Sequence, residues 1–229
     1  MTTQIESHDF QGEIYDAIAR FNRIAHNLAT DMWTYISLGY FRQELSAQGS
    51  TGSSTMPHKV NPIRFENAEA NLELSNATLD VLSQTLLTSR MQRDLTDSSM
   101  QRNIGVALGY SLVALDGLLR GLNGVSADEE VLAADLEKHW EVISEAIQQA
   151  LRVAQLRNDG ESSVDTGDRS VGPYELLKEA TRGKTVSRED LMKVDDASQM
   201  QEDLAADLHA LTPSTYIGLA QEVAQVPGK

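Results

Sequence analysis

Between Asp9 and Gln43 the chain reads DFQGEIYDAIARFNRIAHNLATDMWTYISLGYFRQ, with Ile14, Ile18, Phe21, Ala25, Leu28, Met32 and Tyr35 spaced alternately four and three residues apart. Apolar residues at that spacing fall on one face of a helix, and no proline interrupts them. The spacing therefore predicts a single helix over the whole stretch, on the order of 50 Å long at ~1.5 Å per residue. A stripe sustained at about 3.5 residues suits a helix packed along its length in a bundle rather than one lying across a small globule.

Working outward, Ser46 to Asn61 breaks the pattern with Gly49, Gly52, four serines, two threonines and Pro57, a composition that favours a loop. Helix resumes after Pro62 and runs to about Leu87, with Leu72, Leu79, Leu82 and Leu86 as its expected buried stripe. A third helix is expected from the N-cap candidate Asp97 through Ile104, Leu108, Ser111, Leu115, Leu118 and Leu122 to Gly124. After Gly124 an amphipathic segment reaches about Leu156, followed by NDGESSVDTGDRSVG (Asn158 to Gly172), which reads as an exposed loop. Short helices are expected near Pro173 to Thr181, Ser187 to Lys193, Gln201 to Leu211 and Pro213 to Ala224. No strand alternation competes. The fold class is therefore all-α: a long-helix bundle over 1–125 with a loop over 49–62, then a smaller helical domain over 126–229 with a polar loop at about 157–172.

The 229 residues carry a formal charge of -15 and no cysteine. Such acidity disfavours non-specific binding to nucleic acid or anionic membranes, because phosphate attraction needs a positive surface. Without cysteine there are no disulfides, thiolate metal sites or cysteine nucleophiles. Neither a membrane span nor a signal peptide is recognisable, which leaves the cytoplasm as the expected compartment. Local charge differs from the global balance. From Lys59 to Arg102 the chain holds Lys59, Arg64, Arg90, Arg93 and Arg102, with Glu66, Glu69, Glu73 and Asp80 ahead of Asp94 and Asp97. A cationic pocket in an acidic protein suits an anionic small substrate.

Chemistry is concentrated in Gly52-Ser53-Ser54-Thr55-Met56-Pro57-His58-Lys59-Val60-Asn61-Pro62, between two long helices. Ser53 or Ser54 offers a base if its pKa is lowered, Lys59 offers charge to stabilise a developing carbanion, and Asn61 offers hydrogen bonds to a carboxylate. Gly49 and Gly52 would let the loop close over substrate and expel water. This run resembles the signature of the fumarase/aspartase superfamily, whose members eliminate fumarate across a carbon–nitrogen or carbon–oxygen bond. The resemblance implies that Ser53 is the base that removes a proton beside a carboxylate. It also implies that Ser54, Lys59 and Asn61 bind substrate or support that serine.

His58 is similar to the residue found before the lysine in adenylosuccinate lyases and carboxymuconate cycloisomerases, and is expected to shape the loop or contact substrate. The run SRMQRDLTDSSMQRN (Ser89 to Asn103) resembles the segment of bacterial-type adenylosuccinate lyases in which Arg93, Ser98 and Arg102 would hold a nucleotide monophosphate. Two guanidinium groups and a hydroxyl near a helix start suit that ligand; surface pairing of the arginines with Asp94 and Asp97 is the plainer reading. Thr3-Gln4-Ile5-Glu6-Ser7-His8-Asp9 resembles a substrate-binding segment in which Gln4 makes the contact, and Phe65-Glu66-Asn67 another, in which Asn67 does. Tyr174 to Lys178, Thr181 to Lys184 and Leu211 to Gly218 resemble the family's C-terminal cap.

The resemblance implies elimination of fumarate from adenylosuccinate to give AMP, no cofactor and no metal, and homotetramers that build each active site from three subunits. Residues 1–125 would be the C-terminal part of the family's central bundle. A complete member is about twice as long, and its amino-terminal half carries the histidine that protonates the leaving group. None of His8, His26, His58, His139 and His209 fits that part; outside the signature they read as surface or packing residues. The isolated chain is therefore expected to be inactive. The alternatives are another fumarate-releasing or cycloisomerase relative, and a non-catalytic oligomerisation fragment.

Overall fold

The first helix, α1 (Asp9–Ser37), stops short of Gln43 because Gly39 turns the backbone into the left-handed region at φ 78°. Tyr40 N–H bonds to Tyr35 O at 2.9 Å and Gly39 N–H to Ile36 O at 3.1 Å, closing the helix end in a Schellman arrangement. The released chain, Phe41–Gln43 (β1), pairs antiparallel with β2 (Val125–Ala127), placing Phe41 opposite Ala127 and Gln43 opposite Val125. The expectation of no strand fails here, because three-residue strands are too short to show alternation.

The computed structural model describes residues 4–44, 60–161, 186–196 and 202–225. Two units divide the chain, Met1–Asp128 and Glu129–Lys229. In the first, α1 lies antiparallel to α2 (Ile63–Leu86), a direction fixed by the pairs Arg23–Asp80, His26–Glu73, Thr30–Glu69 and Trp33–Glu66. The expected third helix is two: α3 (Thr96–Gln101) and α4 (Ile104–Leu122), separated at Arg102 and Asn103. Among the described residues Thr96–Leu122 is also long and apolar enough, by length and composition, to cross a membrane. Part of that apolarity serves packing, since Ala107, Ala114 and Leu118 are buried.

Leu72, Leu79, Leu82 and Leu86 are all buried, as their spacing predicts. The stripe on α1 is different. Its buried face is Gly12, Tyr15, Ala19, Asn22, Ala25, Ala29 and Met32, while Ile14, Phe21, Leu28 and Tyr35 are exposed. Small residues line the contact because they let helix backbones approach closely. One cluster joins Ala25, Ala29 and Met32 to Phe65, Ala68, Leu72, Ala114 and Leu118; another joins Tyr15 and Ala19 to Leu79, Leu82, Leu86 and Ala107. A Cβ at Gly121 would stand 2.9 Å from Phe65 Cζ, so only glycine fits where α4 crosses that ring.

Polar atoms fix the register of the three long helices. Asn22 Nδ2 donates to Ser75 Oγ (3.1 Å), Ser75 Oγ donates to Ala107 O (2.8 Å), and Ser111 Oγ donates to Asn22 Oδ1 (2.8 Å). Asn22 and Ser75 are fully buried.

The second unit packs Trp140, Ile143, Ile147, Ala150, Leu151, Val186, Leu191 and Leu208 into its own core. The amphipathic segment after Gly124 is α5 (Glu129–Leu136), a 3-10 turn (Trp140–Ile143) and α6 (Ser144–Glu161). Helix therefore continues through the start of the polar stretch expected as a loop from about 157; residues 162–185, with the expected helix near Pro173 to Thr181, lie outside the described residues. Further on come α7 (Arg188–Asp196) and α8 (Glu202–Ala210). The last expected helix shrinks to α9 (Ala220–Gln225), because Thr212 and Thr215 hydroxyls close a turn ahead of it.

Replacing Ser75 with alanine leaves the Asn22 amide without its acceptor in a sealed site. Ser75→Ala is expected to cost about 1–3 kcal/mol, measured by denaturant unfolding of the chain.

Candidate functional site

Those sequence-predicted residues that are described fall at two ends of the helical bundle. At one end β1 and β2 form a clip: Glu44 N–H bonds to Gly124 O (2.8 Å), Asp128 N–H to Tyr40 O (2.8 Å), and Arg42 pairs with the buried Asp128 carboxylate. Gln43 Nε2 reaches Val60 O at 3.5 Å, tying the two stems together. Asn61 lies exposed at the second stem and Asn67 exposed in the first turns of α2, where its carbonyl accepts from Asn71 Nδ2 at 2.7 Å. Ser53, Ser54, His58 and Lys59 lie outside the described residues.

At the other end the chain between α2 and α4 makes a tight, polar corner. A 3-10 turn over Arg90–Gln92 holds Met91 at φ 51°, a left-handed backbone that costs a non-glycine residue energy. Asp94 organises this corner: it accepts from Thr96 Oγ1 (2.6 Å) and Thr96 N–H (3.0 Å) and pairs with Arg90 Nη1 at 2.6 Å. The hydroxyl of Thr96, ahead of its backbone N–H and of Arg90, holds the Asp94 carboxyl below the usual aspartate range. Capping thus falls to Asp94, and helix begins at Thr96 rather than Asp97.

Asp97 is engaged elsewhere. Its Oδ1 accepts from Ser98 N–H at 2.6 Å, and its Oδ2 lies 3.1 Å from His8 Nε2. His8 is buried, sits at φ 58° before α1, and has the Glu6 carboxylate 2.5 Å from Nδ1 on its other side. The contact brings the Gln4 segment beside the Arg93 to Arg102 segment, which the two motifs did not reveal separately. Histidine at position 8 is therefore more than a packing residue; its signal, an imidazole facing an aspartate 89 positions later, exists only in the folded chain.

With Asp94 on Arg90 and Thr96, and Asp97 on His8 and Ser98, the acids expected to neutralise Arg93 and Arg102 are occupied. Both arginines are exposed, and neither has an ion pair among the described residues. Ser98 Oγ donates to Leu95 O at 3.0 Å and retains acceptor capacity. Arg102 ends the short α3 rather than standing in the first turn of a long helix. Gln4 is exposed ahead of His8.

The sequence of this chain is matched by known proteins. Residues 1–75 match the family model described as Lyase, which gives the class. Residues 89–217, more than half of the chain, match the model described as Adenylosuccinate lyase C-terminal, and the chain belongs to that family. Among its relatives, the adenylosuccinate lyase of Vibrio cholerae is 44% identical over 222 residues, covering 97% of this chain and 45% of that protein. That of Escherichia coli K12 is 45% identical over 96% of this chain and 45% of its own length. The Dictyostelium discoideum protein is 43% identical over 95% and 44%. The chain thus spans about half the length of the curated relatives it matches.

If the Thr96 hydroxyl holds the Asp94 carboxyl low, Thr96→Val moves its titration upward, toward the ordinary aspartate range. A depressed folded value means that the corner's contribution to stability is complete above the unfolded pKa and is lost as pH falls through the folded one. Carboxyl titration by NMR checks this: Asp94 should titrate below ordinary aspartates in the wild-type chain and closer to them in the variant.

Proposed function

We propose that this chain supplies the proton-abstracting loop and the phosphate-holding segment of an adenylosuccinate lyase. The reaction is anti elimination of fumarate from adenylosuccinate to give AMP, and from succinyl-aminoimidazole-carboxamide ribonucleotide, both in purine biosynthesis. Ser53 takes the Cβ proton; the electrons of that C–H bond form the double bond of fumarate as the C–N bond breaks, and the leaving nitrogen takes a proton from an acid outside this chain. Lys59 supplies positive charge as the carbanion develops, Ser54 and Asn61 hold a carboxylate, and His58, Gln4 and Asn67 contact substrate. Arg93, Ser98 and Arg102 hold the nucleotide phosphate.

The observation that carries this reading is the pair of arginines left open while Asp94 and Asp97 are held by Arg90, Thr96, His8 and Ser98. Two unneutralised guanidinium groups and a serine hydroxyl in one segment suit a dianionic phosphate.

Geometry also supports sites shared between chains in a homotetramer. The 24 residues of α2 separate the loop stem at Val60 from the corner at Arg93, by roughly 36 Å at ~1.5 Å per residue. A segment of the length of 45–59, tied at both stems, reaches at most about 25 Å even when fully extended. That separation supports a site that draws Ser53 and Arg93 from different copies of the chain. The faces left uncovered suit that contact: Phe10, Ile14, Phe21, Ile24 and Leu28 on α1, and Leu112 and Val113 on α4, are exposed. The acidic, cysteine-free composition supports a cytoplasmic enzyme.

Mixing the chain with a separately produced amino-terminal half, and following adenylosuccinate loss, tests the proposal. Activity should appear on mixing and fall by on the order of 10²–10⁴-fold with Ser53→Ala. An assembled complex that cleaves other fumarate adducts but not adenylosuccinate would remove the substrate assignment; one that cleaves none would leave an oligomerisation fragment.

A further inference from the structure

His8 is placed unlike any other histidine among the described residues. It is buried, its backbone is held in the left-handed region at φ 58°, and its ring stands between two carboxylates from different parts of the chain: Glu6 at Nδ1 and Asp97 at Nε2. Gln101 Nε2 lies 3.4 Å from the same Nε2. Asp97 is four residues after Arg93 and five before Arg102. Asp94 is already held by Arg90 and Thr96, so a carboxylate released from His8 at position 97 is the nearest one in sequence left to reach either guanidinium group.

We propose that His8 is a positioning residue that holds Asp97 away from Arg93 and Arg102 and so keeps the two arginines open to an external phosphate. The hold has two points. Nε2 fixes Oδ2 of Asp97 at 3.1 Å, while Ser98 N–H fixes Oδ1 at 2.6 Å, so the carboxylate is pinned at the start of α3 and cannot swing along the chain. The same contact sets the Gln4 segment against the corner, coupling a substrate-facing glutamine to the phosphate-facing arginines. The inference rests on the phosphate reading given above for its ligand, though not for the restraint on Asp97.

Backbone and side-chain roles of His8 separate by substitution. Asparagine tolerates the left-handed backbone but is too short to reach Asp97. Glutamine carries a donor to about the reach of Nε2 and should retain the hold. In the 229-residue chain, with AMP as the probe, His8→Asn is expected to weaken binding about tenfold, the scale of losing one charge-assisted hydrogen bond. His8→Gln should stay within about twofold of wild type. The double variant His8→Asn/Asp97→Asn should recover wild-type affinity, because no carboxylate is left to compete.

A second readout needs no ligand: the side-chain Nε–H resonances of Arg93 and Arg102. At least one should shift in His8→Asn, as Asp97 swings onto it, and return in the double variant. A His8→Asn chain with unmoved arginine resonances, a double variant that fails to reverse the shift, or a His8→Gln chain as impaired as His8→Asn would each overturn the proposal. A wild-type chain that does not bind AMP while its arginine resonances behave as expected would remove the phosphate reading and leave the positioning role standing.

Discussion

A carboxamide sealed between helices must find its hydrogen bonds inside the protein, and Asn22 finds them on both neighbours: Ser75 of α2 accepts from it and Ser111 of α4 donates to it. Ser75 donates its own hydroxyl to Ala107 O, so one chain of bonds crosses three helices. Sliding any helix by a turn would strand a buried donor or acceptor, at a cost of about 1–3 kcal/mol for each group. The buried alanines of these helices, Ala19, Ala25, Ala107 and Ala114, bring the backbones close enough for short hydroxyls to reach. Packing and polar register therefore specify the same arrangement.

That register decides where the chemistry-bearing segments go. With α1 and α4 both antiparallel to α2, the loop stems and the β1–β2 clip share one end of the bundle, and His8, Arg93 and Arg102 share the other. The helices between them are rigid spacers. Each end is locally well organised: the clip is held by backbone bonds and the Arg42–Asp128 pair, and the corner by Asp94 and Asp97. Neither end is complete for the proposed elimination, which is why the uncovered apolar stripe on α1 matters as much as the core beneath it.

Much of this was legible in the sequence, but unevenly. The leucines of α2 named their own buried face because bulky apolar residues there meet neighbours within the chain. On α1 the same spacing picked out Ile14, Phe21 and Leu28, which the chain leaves exposed, while the face that packs is built from Ala19, Ala25 and Ala29. Periodicity marks an apolar face without saying which partner covers it, and small residues carry little hydrophobic signal. The strands escaped notice because three residues cannot show alternation, and the break at Arg102 and Asn103 because no proline or glycine marks it. Of the candidate site, the residue types were readable from the motifs. The engagement of Asp97 by His8 was not, since it depends on two segments meeting across the fold.

The proposed sharing of sites between chains is the part of the account that the length of α2 supports. Two variants of the chain, Ser53→Ala and Arg93→Ala, can each be assembled with the amino-terminal half and assayed alone and after mixing and reassembly. Each alone should be close to inactive, and the mixed assembly should regain a substantial fraction of wild-type activity, because some sites then draw an intact loop and an intact corner from different chains. Mixed assemblies that form, as shown by mass, yet stay as inactive as their parents would contradict the arrangement.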